Sequence, residues 1–525
     1  MTWWDAAVGY EVYLRSFSDG TGDGVGDLQG LHDRLDHLAW LGVDLVWVTP
    51  FYPSPMRDHG YDVADYRGVE PVFGDSDLLD ACIARTHELG MRFMVDLVPN
   101  HSSSEHVWFQ SARSSRESPH RDYYIWRDPA PDGGPPNNWM SVFGGPAWSL
   151  DEATGQYWLH LFLPEQPDLN WDNPAVRDEF DEILRFWLDR GVDGFRIDVA
   201  HALVKHPALP DNPPAEVPDA AELGTVATEW ESLEHIYDTD QQAVVDVYRR
   251  WREVMTPYDA VLLGEVYLLD ADLMQRYLDG SGLHLAFWFK PLHVRWDAEA
   301  MVAALREGTE LPAGRVAWVQ GSHDRHRAAS RYGGGDLGRR RQLAVAVAQF
   351  GLPGVAFIYQ GEELGLLDGQ LSLDDAQDPV ALHEGNVDRG RDAARTPIPW
   401  APGPGMGFTL GARPWLPLGG RTDEDTVAQQ AADDESWLSR YRELVSVRRS
   451  HLRLGDMPVR WLDAPAGTLA FRRGDALVAC NLTDDPCRVP LPDDRWTVRY
   501  VAGDADLGDG HLALGGATAV VATAS

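Results

Sequence analysis

Short apolar runs alternate along this chain with longer stretches whose apolar residues recur at helical spacing. The runs are Val8–Tyr13, Asp44–Val48, Arg92–Val98, Gly194–Asp198, Val261–Glu265, Leu283–Phe287, Arg315–Val319 and Val355–Tyr359. Near-continuous runs of this kind predict strands buried on both faces, as in a parallel sheet. Between them, Leu28–Leu41, Asp77–Leu89, Pro174–Arg190 and Gln241–Met255 carry the 3.6-residue period of helices. Eight such strands alternating with helices predict an α/β fold, a (β/α)8 barrel.

The alternation breaks twice. After the third run come roughly 70 residues rich in Pro, Gly, Asn and Trp, with Pro131–Trp139 as the clearest part, too long for an unstructured loop in a compact domain. They predict a small inserted lobe over 101–173, splitting the barrel into 1–100 and 174–453. From about Leu454 short alternating runs, such as Thr468–Arg472 and Ala476–Asn481, lie between turn residues. They predict a C-terminal antiparallel β domain over 454–525.

Composition narrows the function class. The chain of 525 residues has a net charge of -37, which argues against nucleic acid and anionic membrane as partners. Lys205 and Lys290 are its only lysines. No segment approaches the about 18–20 apolar residues of a membrane span. The three cysteines, Cys82, Cys480 and Cys487, are too few for a disulfide framework and fit a reducing, cytoplasmic setting. Cys480 and Cys487 could pair in principle.

Three carboxylates stand at or just past the ends of predicted strands. Asp198 closes Gly194-Phe195-Arg196-Ile197-Asp198, Glu265 closes Val261-Leu262-Leu263-Gly264-Glu265, and Asp324 follows Ser322-His323. A barrel of parallel strands places its chemistry at their C-terminal ends. Convergent carboxylates there, one escorted by an arginine, are the equipment for cutting a glycosidic bond.

The segments also resemble a known family. Asp96–His101, Gly194–His201, Gly264-Glu265-Val266 and Ser322-His323-Asp324 resemble, in order, the four signatures of the α-amylase superfamily of glycoside hydrolases, family 13. Gln166–Asn170, Gly60-Tyr61-Asp62, Pro136–Trp148, Tyr359–Glu363 and Gly390–Trp400 resemble its α-glucosidase and oligo-1,6-glucosidase branch. Ser322 stands where the fourth signature usually begins with Asn.

The resemblance implies a barrel, a lobe after its third strand and a C-terminal β-sandwich. It implies Asp198 as nucleophile, Glu265 as general acid and base, and Asp324 as the carboxylate that supports the transition state. Arg196 would keep Asp198 charged. His101 and His323 would bind sugar hydroxyls. Tyr61 would stack on the sugar, Phe143 would line the same wall, and Asp62 with Arg395 would close the pocket behind a terminal glucose. Arg327 reads either as support for the Asp324 loop or as an exposed charge.

Asp19, Thr21, Asp23, Val25 and Asp27 alternate with glycines, and such hard oxygen donors on a tight loop suit Ca²⁺ or Mg²⁺. They resemble the family's first-loop calcium site, with Thr21 where Asn is usual. A second calcium, held in many α-amylases near the positions of Asn100 and Asp168, is not expected, because Lys205 resembles the lysine that replaces it in oligo-1,6-glucosidases. No organic cofactor is implied. Val199 resembles α-1,6-cleaving members, whereas His201–Lys205 resembles actinobacterial α-glucosidases. The activity implied is release of glucose from maltose-like α-1,4 glucosides, with transglycosylation plausible. The α-1,6 glucosidases, trehalose synthase, sucrose-acting relatives and, remotely, non-catalytic relatives are the alternatives. Oligomeric state, monomer or homodimer, is left open.

Overall fold

The computed structural model describes residues 2–215, 229–411, 413–453, 455, 457–492, 495–508 and 510–524. The chain enters on β1 (Val8–Val12), β2 (Leu45–Val48) and β3 (Arg92–Leu97). A lobe follows with β4 (Trp126–Arg127), β5 (Trp148–Asp151) and β6 (Gln156–Leu159). The chain then returns with β7 (Gly194–Ile197), β8 (Val261–Gly264), β9 (Leu285–Trp288), β10 (Val316–Trp318) and β11 (Val355–Tyr359). Strands β1–β3 and β7–β11 close into a parallel barrel, with β1 hydrogen-bonded to both β2 and β11. The lobe is an antiparallel sheet ordered β4-β6-β5.

Alternation along each strand sorts side chains between two cores. Leu45 and Trp47 point into the barrel, where Met94, Leu263, Leu285, Phe287, Val355 and Phe357 fill the interior. Val46 and Val48 point outward to the layer of helices. Gly9 makes this packing possible, since a Cβ there would lie 2.4 Å from the Phe357 ring.

The helices begin where their capping residues dictate. Asp27 caps Leu28–Leu41 by accepting from the Gly30 N–H, Asp75 caps Ser76–Glu88 through Leu78, and Asn173 caps Pro174–Asp189 with proline in its first turn. The fourth predicted helix starts later than expected, at Val244. The sixth barrel strand runs from Leu285 to Trp288 rather than from Leu283, because the Leu283 N–H is taken by Tyr277 O in the preceding turn.

Beyond the barrel come β12 (Arg460–Trp461), β13 (Thr468–Arg473), β14 (Ala476–Asn481), β15 (Cys487–Pro490), β16 (Trp496–Ala502), β17 (Ala505–Gly508), β18 (His511–Leu514) and β19 (Thr518–Ala524). They form two antiparallel sheets, β12-β13-β14-β19-β16 and β15-β18-β17. The larger sheet packs on the helix Gly335–Gly351, where a Cβ on Gly351 would meet Val478 at 2.7 Å. Leu454, the predicted start of this domain, lies outside the described residues. Cys82, Cys480 and Cys487 are free thiols, so the possible Cys480–Cys487 bridge is not formed. Among the described residues, no helix is long and apolar enough to cross a membrane.

Candidate active site

β7 ends at Ile197 and β8 at Gly264, so Asp198 and Glu265 are each the first residue past a barrel strand. Arg196 pairs with Asp96 across β3 and β7 and is 2% exposed. Its guanidinium gathers three carboxylates. Nη1 lies 2.7 Å from Asp198 Oδ1 and 3.0 Å from Asp96 Oδ1, and Nη2 lies 2.8 Å from Glu265 Oε2. Burial and the neighbouring carboxylates push the Asp198 carboxyl upward and Asp96 up to about 6, while Arg196 pulls both down. Asp198 and Asp96 share the Arg196 guanidinium, so their titrations are linked.

The turn after Asp198 is strained. Val199 has φ 45°, a left-handed conformation that a β-branched residue rarely adopts. Such strain costs about 1–3 kcal/mol and tends to sit at functional sites. Here it aims the Val199 N–H at Glu265 Oε2, at 2.9 Å.

Asp324 sits on the opposite wall, Oδ1 lying 3.0 Å from Arg395 and 3.2 Å from Arg391. Desolvation works to raise its pKa, but His323, Arg391 and Arg395 hold it below the usual carboxylate range. His323 Nδ1 meets Glu11 Oε1 at 2.6 Å, and its Nε2 meets the Tyr61 hydroxyl at 2.9 Å. Tyr61 stacks on the His323 ring at 5.5 Å and donates to Asp96 Oδ2 at 3.0 Å. Glu11, which orients His323, carries no signal in the sequence beyond its place on the first strand.

His101 is buried beside this group. Its Nε2 is 3.1 Å from both Tyr61 O and Gln166 Nε2, and its Nδ1 is 3.1 Å from Asn100 Nδ2. His201 Nδ1 accepts from the Tyr267 N–H at 3.3 Å. Burial drops the pKa of both histidines to about 4, so both are neutral at ordinary pH. Phe143 packs edge-on to Phe162 and lies under the Arg391 guanidinium at 5.3 Å. Arg327 is buried and donates to Gln360 O at 2.8 Å, so it supports the loop rather than meeting solvent.

Of the two residues expected to close the pocket, Arg395 stands against Asp324, but Asp62 does not face it. Asp62 is fully buried and turned into its own loop, where it accepts from Ser54 Oγ and from the Arg57 and Asp58 N–H groups. Burial raises its carboxyl to about 6. The acid that crosses the pocket is Asp58, 2.8 Å from Arg391 Nη2, while Arg391 Nε meets Asp378 at 2.6 Å. Asp58 lies four residues before Asp62, just ahead of the Gly60-Tyr61-Asp62 motif, and Arg391 four before Arg395 within Gly390–Trp400. Spacing alone does not say which neighbour turns inward.

Lys205 Nζ lies 2.6 Å from Asp168 Oδ2 and 2.7 Å from Asn100 Oδ1, so its ammonium occupies the space between lobe and barrel. In the first loop, Asp19 accepts from the Gly22 and Gly24 N–H groups, Asp23 from Val25 N–H, and Asp27 from Gly20, Thr21 and Gly30 N–H. Asp19, Asp23, Asp27, the Thr21 hydroxyl and the Val25 carbonyl are oxygen donors of the kind Ca²⁺ takes. The same carboxylates already serve the loop's own backbone, and no cluster of three metal-ligating acids, His or Cys forms among the described residues.

Residues 11–456 match the α-amylase catalytic-domain family. The chain belongs to the α-amylase family. It is 39% identical to a probable α-glucosidase of Rhizobium meliloti (strain 1021), over 93% of this chain and 91% of that one. It is 36% identical to an oligo-1,6-glucosidase of Heyndrickxia coagulans, over 94% of each. The crystal structure of the α-glucosyl transfer enzyme XgtA superposes with a TM-score of 0.93 at 36% identity, covering 100% of both chains. This α-amylase-family chain is therefore a glycoside hydrolase of α-glucosidase type, built on the barrel, lobe and C-terminal sheets described above.

Proposed function

We propose that this enzyme is a retaining, exo-acting α-glucosidase that removes single glucose units from the non-reducing ends of short α-1,4 glucosides. The observation that carries this is the Asp58–Arg391 ion pair. It supports a pocket closed behind one sugar rather than a cleft open at both ends.

In this reading Asp198 Oδ2 attacks the anomeric carbon as the glycosidic C–O bond breaks, and Glu265 gives its proton to the departing oxygen. Glu265 then takes a proton from water, which displaces Asp198 and restores the original anomer. Retaining pairs stand about 5–5.5 Å apart, and two carboxylates on adjacent nitrogens of one guanidinium suit that spacing. Arg196 favours the charged form of Asp198, and Asp324, held ionised, faces the positive charge that develops on the sugar ring. Tyr61, His101, His323, Phe143 and Arg395 would shape the glucose subsite, whereas Asp62 would hold the loop that carries Asp58.

Val199 favours a second reading, an α-1,6 preference, because it follows the nucleophile on the leaving-group side beside Glu265 and His201. One such side chain tunes preference by about 1–3 kcal/mol. Passage of the glucosyl group to a sugar hydroxyl is part of the proposal, since the same intermediate serves both.

Glucose release from maltose, isomaltose, sucrose and trehalose in parallel, with Asp198→Asn as control, tests the assignment. Turnover of maltose well above the others is expected, and absence of turnover on every α-glucoside would sink the hydrolase reading.

Ca²⁺ is the proposed occupant of the Asp19–Asp27 loop, with a structural role. Its oxygen donors support this, and a rise in melting temperature with added CaCl2, reversed by chelator, is the check. The free cysteines and acidic surface support a cytoplasmic setting, and small glucosides are the proposed partners.

A further inference from the structure

Two residues past Asp324, His326 lies between two acceptors. Its Nδ1 is 3.0 Å from Asp368 Oδ2 and its Nε2 is 3.1 Å from the main-chain oxygen of Asp388. A neutral imidazole carries one N–H and can donate to only one of them. A carbonyl oxygen can only accept, and Asp368 is held below the usual carboxylate range, first by its His326 hydrogen bond acting against desolvation. The geometry therefore selects the imidazolium, which donates to both.

The three segments so joined are all part of the site. His326 belongs to the loop that carries Asp324. Asp368 follows β11 and also accepts from the Arg327 N–H at 2.7 Å. Asp388 lies in the turn Val387–Arg389, three residues before the Arg391 that reaches Asp58 and Asp324. A half-buried histidine beside an aspartate is commonplace. One whose second nitrogen holds the backbone next to a pocket-closing arginine is not.

We infer that His326 is a positioning residue, an imidazolium clamp that ties the Asp388 turn to the Asp324 loop and so holds Arg391 across the glucose subsite. The inference rests on the proposed role of Arg391 in that subsite. The charged groups facing His326 are Asp368 and Asp388, with Arg327 and Arg331 on its own element and Arg421 beyond Asp368. Its pKa is raised, chiefly by the Asp368 hydrogen bond. A raised histidine pKa means that the clamp is complete below the ordinary value of about 6.5 and is released as pH climbs through the folded-state value.

Glucose, the product under every linkage reading, is the probe. Its inhibition constant is measured from pH 5.5 to 9 against 4-nitrophenyl α-glucoside (a range set around about 6.5), in the wild type, His326→Gln and Arg391→Gln. The wild-type constant is expected to rise about threefold to tenfold across the histidine titration, as a charge-assisted hydrogen bond is lost. In His326→Gln it should start high and stay flat, with kcat changed less than KM. A His326→Gln profile that follows the wild type would overturn the clamp. NMR of ¹³C-labelled histidine tests it without any sugar, since titration of His326 at or below about 6.5 would overturn it too. An Arg391→Gln enzyme with an unchanged glucose constant would instead overturn the pocket reading, and with it the consequence drawn for His326.

Discussion

Asp58 and Arg391 meet at 2.8 Å across two loops that lie 333 residues apart in the chain. Neither stands on a barrel strand. The pair is held because Asp62 organises the loop under Asp58, while Asp378 takes the Arg391 Nε and main-chain N–H. Removing the guanidinium strands the buried Asp58 carboxylate, at a cost of about 3–5 kcal/mol, whereas Arg391 without Asp58 keeps Asp378 and Asp324 but loses its hold across the pocket.

Asp58→Asn and Arg391→Gln should therefore each raise KM for maltose by at least an order of magnitude. Longer maltooligosaccharides should be affected less, because an opened pocket admits a sugar beyond the terminal one. The ratio of maltose to maltotetraose kcat/KM reads this directly. A double mutant no worse than either single would show that the two act as one unit.

The nucleophile assignment predicts a change of stereochemistry. Asp198→Gly should lose about 10⁴-fold or more in kcat. Added azide should restore turnover of an activated α-glucoside and yield the β-glucosyl azide by a single displacement. Azide rescue through the α-anomer would point to a different nucleophile.

Lys205 is a structural prediction. Its ammonium is buried against Asp168 and Asn100. Lys205→Met should lower stability by about 3–5 kcal/mol by stranding the Asp168 carboxylate, and Lys205→Met with Asp168→Asn should recover much of it. Denaturant midpoints of the two variants decide the matter.

Glu362 and Glu363 supply a pH dependence remote from the chemistry. Burial raises Glu362 to about 8, with Gln320 and Tyr441 hydrogen bonds opposing, and raises Glu363 to about 7. A carboxyl whose folded pKa exceeds the unfolded value of about 4.3 keeps its proton where the unfolded chain gives it up. The folded state then binds more protons, so stability falls as pH rises from about 4.3 toward the folded values. Glu362→Gln should be more stable than wild type by about 1–3 kcal/mol at pH 8, with the difference vanishing near pH 4. Thermal unfolding at the two pH values measures it.

Much of the fold was legible because buried parallel strands leave continuous apolar runs, and capping residues such as Asp27, Asp75 and Asn173 mark helix starts. The three site carboxylates were legible because they end those runs or follow shortly after them. Asp198 and Glu265 stand one residue past β7 and β8, and their direction follows from strand periodicity. The loops were less legible. Asp62 and Asp58 are both acids in one short segment, and Arg391 and Arg395 are both arginines in another. Which acid faces the pocket, and which arginine reaches across to it, depends on hydrogen bonds to Ser54, Asp378 and the main chain, which have no periodic trace.

From the order of residues alone come the eight-stranded barrel, the inserted lobe, the C-terminal β domain and the positions of Asp198, Glu265 and Asp324. These follow from local rules, burial period and strand termini, that each segment obeys independently. Only tertiary structure decided that Arg196 gathers three acids, that Asp58 rather than Asp62 faces Arg391, and that His326 lies between Asp368 and the Asp388 carbonyl. Each of those relationships joins loops far apart in the chain, and their side chains take direction from packing and charge pairing once the barrel has closed.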